Sequence, residues 1–178
     1  MSKTNNFVFW CLYVIAWIIF VGLSIEAGGL IVNFFFSLYK PEFVQNLYQK
    51  LDLTEMYKAS KLAFFGIYSF ILIISILKAC LLYIIIRLMH TMNLSKPYNT
   101  FVARQISKIC YYTISIGILS YIAVQFTKNL MHHGFVPNDL DRFWADSEAC
   151  IFMGAVIYII GTIFKKGVDI QNENDLTI

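Results

Sequence analysis

The 178-residue chain is 58% hydrophobic and only 14% charged, whereas ordinary soluble domains run nearer a quarter charged, so lipid is indicated as its solvent. A formal net charge of +3, with no basic run interleaved with aromatic residues, excludes the usual direct nucleic-acid binders. Cys11, Cys80, Cys110 and Cys150 are scattered without a CxxC motif or a metal-ligand spacing and read as small apolar packing residues.

The first apolar segment, Phe7 to Tyr39, contains a single charge, Glu26. Lys3 and the Ala27-Gly28-Gly29 run imitate a signal peptide, but the apolar stretch continues past the glycines, beyond the ~7–15 residues of a signal core, and is retained as a helix. As one helix it is about 50 Å long against a ~30 Å hydrocarbon core, so it either projects beyond the bilayer or bends near the paired glycines. In the polar connection to Lys61, Phe43, Val44, Leu47, Leu51 and Leu53 recur at near-helical spacing, as in a surface helix. A second span covers Leu62–Met89, with Lys78 inside it.

Ser95-Lys96-Pro97 stops that helix, and Asn99 or Thr100 can cap the next. The third helix begins with a polar turn carrying Arg104 and Lys108 on one face and spans about 106–127. A polar loop holding His132, His133, Pro137, Asp139, Asp141, Arg142 and Asp146 precedes a short fourth span, Ala149–Phe164. Lys165-Lys166-Gly167 is expected to end it, leaving 165–178 as a polar cytoplasmic tail. The fold class expected is all-α: an integral membrane four-helix bundle with long first and second helices. With both termini inside, Lys3, Arg87, Lys96, Arg104, Lys108, Lys165 and Lys166 face the cytoplasm, and the central loop is purely basic, which favours an inner-membrane protein with cytoplasmic termini.

Glu26 and Lys78 are the sharpest local feature. An ionised group in hydrocarbon costs at least ~2.5–3.5 kcal/mol and usually finds a partner or water. Centred spans would bring the two together as a buried pair, which is either structural or a ligand or proton site. Lys96, Arg104 and Lys108 suit anionic headgroups or a cytosolic docking partner. His132, His133, Asp139 and Asp141 match no ligand spacing, so neither a metal nor another cofactor is expected. There is also no paired-carboxylate, HExxH or Cys-His arrangement, and binding rather than enzymatic chemistry is expected.

The C-terminal run Ile163-Phe164-Lys165-Lys166-Gly167-Val168-Asp169-Ile170-Gln171-Asn172-Glu173-Asn174-Asp175-Leu176-Thr177-Ile178 resembles the terminal signature of a bacterial membrane family, the domain of unknown function numbered 2975. Trp17 to Gly28 resembles the first helix of that family, and Leu94-Ser95-Lys96-Pro97-Tyr98 its central loop. The resemblance implies a four-span protein and, because members are often encoded beside a small helix-turn-helix regulator, a cytosolic transcription regulator as partner. Asp169, Glu173, Asp175, Leu176 and Thr177 then become docking candidates, in a tail whose alternating pattern is compatible with an extended segment added to a partner's sheet. The leading expectation is a membrane-embedded regulatory or sensing protein, with a homo-oligomer compatible. The alternative is a small transporter or channel component built on the Glu26 and Lys78 site.

Overall fold

The computed structural model describes residues 3–39, 53–92, 98–132, 140–141 and 143–176, without the side chains of residues 3–6, 55, 59 and 174–176. Within these residues the chain is helical: α1 (Lys3–Tyr39), α2 (Thr54–Ala59), α3 (Lys61–Thr91), α4 (Thr100–His132) and α5 (Ser147–Leu176). Four of these, α1, α3, α4 and α5, are long and apolar enough to cross a membrane, which makes this a multi-pass helical membrane protein. A bilayer interior offers no water to satisfy backbone groups, so helices are the form such apolar stretches must take.

The helix ends are fixed by the residues flanking them. Ser60, in an extended conformation, closes α2 and accepts through Oγ from Ala63 N–H at 3.3 Å to open α3. Asn99 opens α4 by accepting from Val102 N–H at 2.9 Å, as expected from the sequence. Asp146 does the same for α5, accepting from Ala149 N–H at 3.0 Å, and Glu148 adds a charge complementary to the helix dipole. Inside the spans, Ser24, Ser69, Thr113, Thr127 and Thr162 return their hydroxyl protons to carbonyls four residues back, so none of these hydroxyls confronts lipid unsatisfied.

The long helices pack in chain order: α1 against α3, α3 against α4, and α4 against α5. Among the described residues α1 touches neither α4 nor α5, so the spans form an open row. Tyr68 Oη donates to the Leu30 carbonyl at 2.9 Å, its ring stacks on Phe34, and Tyr13 stacks on His90, which fixes α1 antiparallel to α3. Phe126 of α4 packs over Gly66 and Phe70, and Arg87 lies over the Phe101 ring. The α4–α5 seam is close because it is built on glycine. A Cβ on Gly154 would collide with Ile114 Cγ1, and one on Gly117 would lie 3.0 Å from the Ser147 carbonyl oxygen. The missing side chains allow the axes to approach, and Cys110 Sγ donates to the Gly154 carbonyl across the seam at 3.3 Å.

This register sets the start of α5 opposite the middle of α4. The second half of α4, the first half of α3 and the end of α1 therefore overhang α5. That overhang contains most of the core: Phe64, Ile67, Tyr68 and Ile71 of α3 are wholly buried, with Leu30 of α1, Leu53 and Met56 at α2, and Leu140, Phe143 and Trp144 from the segment before α5. The opposite end, where both chain termini emerge, is more open, with Trp10, Tyr111, Tyr158 and Ile159 exposed.

Two expectations change, and the alternative left open for the first helix is decided. Gly167 does not stop the last helix: α5 continues to Leu176. Glycine costs a helix only ~1 kcal/mol relative to alanine, and here its bare Cα admits the Tyr98 ring, which would lie 2.6 Å from a Cβ. The tail is accordingly helical rather than extended through Leu176, while Thr177 lies outside the described residues. Finally, α1 runs without interruption through Gly28 and Gly29 as a 37-residue helix about 55 Å long, so its excess length projects beyond a ~30 Å hydrocarbon layer or is taken up by tilt. Of the expected surface helix after Tyr39, residues 40–52 fall outside the described residues, and α2 follows them.

Candidate functional site

At the base of the overhang, where α5 begins, polar groups from α1, α3 and the segment before α5 converge. Glu26 stands on α1 with its carboxylate half-buried, and its Oε1 accepts from Ser75 Oγ at 3.4 Å. Ser75 is buried on α3, three residues before Lys78, so both project from one face of that helix. Lys78 reaches across to the chain leading into α5 and donates through Nζ to the Phe143 carbonyl at 3.0 Å. Glu26 and Lys78 thus face the same small region, each in the other's field, but each takes its hydrogen bond from elsewhere.

The carbonyl that receives Lys78 is held firmly. Phe143 N–H donates to the Leu140 carbonyl at 3.0 Å, and Ala145 N–H to Ser120 Oγ of α4 at 3.2 Å. Leu140, Phe143 and Trp144 wedge into the core between these anchors. Trp144 Nε1 is buried with no hydrogen-bond partner among the described residues, an arrangement that costs ~1–3 kcal/mol and that the apolar contacts of the ring must outweigh. Cys150, one turn into α5, lies in the fields of both Lys78 and Asp146 and completes the electrostatic neighbourhood.

The sequence singled out Glu26 and Lys78, and the chain brings them to one site by way of Ser75. It did not single out Ser75, the Phe143 carbonyl or the Asp146 cap. Ser75 was recoverable, since a serine three residues before an intramembrane lysine shares its face. The Phe143 carbonyl was not, because no side-chain pattern marks which backbone oxygen a lysine will find.

The remaining candidates lie apart from this cluster. Arg104 and Lys108 are exposed on one face of α4 near the end carrying the termini, and Asp169 is exposed on the last turns of α5. Glu173 is also exposed there, and the backbones of Asp175 and Leu176 are helical. Lys96, His133 and Asp139 lie outside the described residues, while His132 and Asp141 are exposed. Among the described residues no group of three His, Cys, Asp or Glu side chains is placed to hold a metal ion.

The cluster is suited to holding charge within an apolar protein and to tying three chain segments together. Lysine bonded to a fixed carbonyl, a carboxylate bonded to a hydroxyl, and a field between them make a latch whose strength changes with the charge on either group.

No curated protein and no solved structure matches this chain. A family model does, over residues 47–178, and its description is "Protein of unknown function (DUF2975)". The match takes in α2 to α5, with Lys78, the Phe143 segment and the tail, and begins after α1, so the likeness noted in the first helix stands outside it. By that match over most of its length, the chain belongs to the DUF2975 family of proteins of unknown function.

Proposed function

We propose that this protein is a membrane-embedded regulator whose polar latch at Glu26, Ser75 and Lys78 sets the position of α5, and whose α5 presents its far end to a small cytosolic helix-turn-helix regulator. The observation that carries this reading is the continuity of α5: a single helix leads from the segment gripped by Lys78 to Leu176. A shift of the latch is therefore transmitted along about 45 Å of helix rather than dissipated in a loop. The family resemblance of the tail supports the identity of the partner.

The charge distribution supports an inner-membrane orientation with both termini cytoplasmic. Arg87, Arg104, Lys108, Lys165 and Lys166 gather toward the end that carries the termini, whereas the other end holds only Lys58, Lys61 and Lys128 among the described cations. The test is recovery of a helix-turn-helix protein with the full-length chain from solubilised membranes, repeated after deletion of Asp175–Ile178. Recovery that depends on the deleted residues is expected; no such protein, or equal recovery by the truncated chain, rules the reading out. The same intramembrane charges also suit a small transporter, and substrate uptake by reconstituted vesicles that is lost in Lys78→Met would favour that reading instead.

A further inference from the structure

Along the α4–α5 seam, toward the end that carries the termini, one face of α4 presents Arg104, Ser107, Lys108 and Tyr111 at helical spacing. Opposite it, α5 presents Tyr158, Thr162 and Lys165. Between the two helices lies a cavity of about 30 Å³ lined by Ser107, Tyr111, Tyr158, Thr162 and Lys165 among others, more than the ~10–15 Å³ that one water requires. Gly161 forms part of its wall, where a Cβ would lie 3.2 Å from Ile106 Cγ2 of α4.

The hydroxyl protons in this groove are partly committed. Ser107 Oγ donates to the Ala103 carbonyl at 3.0 Å, and Thr162 Oγ1 to the Tyr158 carbonyl at 2.9 Å. The groups positioned to donate to a visitor are the Lys165 ammonium and the phenols of Tyr111 and Tyr158, both exposed side chains. Arg104 and Lys108 add positive charge on the adjoining face, and all three cations are exposed. The one described carboxylate near the rim, Asp169, follows Lys165 by one turn toward the chain end.

A cationic rim at the level where the apolar part of α5 gives way to Lys165–Lys166, phenolic donors just inside it, and an apolar wall at Ile157 continuing into the spans match an amphiphile with an anionic head. We infer that the α4–α5 groove binds an anionic phospholipid, its phosphate held by Lys165 with Arg104 and Lys108 and its first acyl segment lying along Tyr111, Ile157 and Tyr158. Basic grooves between spanning helices recognise such headgroups by this chemistry. The site goes beyond the regulatory reading and does not depend on it.

The experiment is native mass spectrometry of the full-length protein in zwitterionic detergent, titrated with phosphatidylglycerol, with phosphatidylcholine, and with inorganic phosphate alone. Melting temperature is followed in parallel. Selective retention of phosphatidylglycerol with a rise in melting temperature is expected. Equal retention of both lipids would overturn the inference, and so would a full effect from inorganic phosphate alone.

Lys165→Gln is expected to weaken retention by about fivefold, the effect of one cation near a charged headgroup. Lys128→Gln, at the opposite end, is expected to leave retention unchanged, and equal losses in the two variants would mean unspecific charge attraction and overturn the site. Asp169→Asn is expected to hold or tighten retention, and a loss would contradict the assigned polarity of the rim. Should Lys165→Gln fail to fold, Tyr158→Phe removes a phenolic donor with little change in packing, and unimpaired phosphatidylglycerol retention in that variant would overturn the inference.

Discussion

Neutralising the two intramembrane charges singly and together probes how Glu26 and Lys78 are coupled. In Glu26→Gln the side chain can keep its bond to Ser75, while Lys78 loses the favourable field of the carboxylate and keeps only the Phe143 carbonyl. In Lys78→Met a charge-assisted hydrogen bond of ~1.5–3 kcal/mol disappears, but so does the ~2.5–3.5 kcal/mol cost of placing lysine among spanning helices. These two nearly cancel, and the net loss in the single variant comes mainly from a carboxylate left without its cation. That residue of the effect should vanish in the double variant. A direct buried ion pair would be worth ~3–5 kcal/mol on removal of one partner, but here each charge has its own neutral hydrogen-bond partner, so a coupling of about 1 kcal/mol is expected. Reversible unfolding of the four proteins in mixed micelles measures it. Each single variant should be destabilised, with the double variant partly recovering. If the two single effects add to within ~0.3–0.5 kcal/mol, the charges act independently and the latch does not exist as described.

Other consequences are more local. Gly154→Ala should destabilise by about 1–3 kcal/mol through overpacking against Ile114, read as a lowered melting temperature, whereas Gly22→Ala, with open space around it, should be neutral or stabilise by up to ~1 kcal/mol. Trp144→Phe removes a buried N–H that has no partner among the described residues, and its melting temperature should match or exceed that of the parent, because relief of the orphaned donor offsets the smaller ring. Deletion of Asp175–Ile178 should leave the melting temperature unchanged while abolishing recruitment of the proposed cytosolic regulator.

Much of the architecture was legible because lipid imposes so simple a rule: each of the four apolar stretches of the sequence lies within one of the four long helices, and Asn99, one of the two caps the sequence offered, opens α4. The failures have a common origin in tertiary packing. Gly167 carries the local signature of a helix end, yet the Tyr98 ring occupies the space its side chain would fill, and the helix continues. Similarly, the loop before α5 reads as polar, but Leu140, Phe143 and Trp144 turn inward and supply both a core wedge and the carbonyl for Lys78. Glu26 and Lys78 stood out because charge is rare in such stretches; Ser75, which links them, is chemically unremarkable until the register of α1 against α3 is known.

Whether the latch governs the far end of α5 is tested most directly by a distance measurement in lipid. Bioorthogonal spin labels at the exposed positions Thr91, at the end of α3, and Asn172, in the last turns of α5, would report their separation by pulsed electron resonance in the parent protein and in Lys78→Met, both reconstituted in liposomes. Release of the Phe143 segment should shift or broaden the distribution. Superimposable distributions from two folded proteins would mean that α5 is positioned without Lys78, and the proposed transmission from the latch to the tail would be wrong.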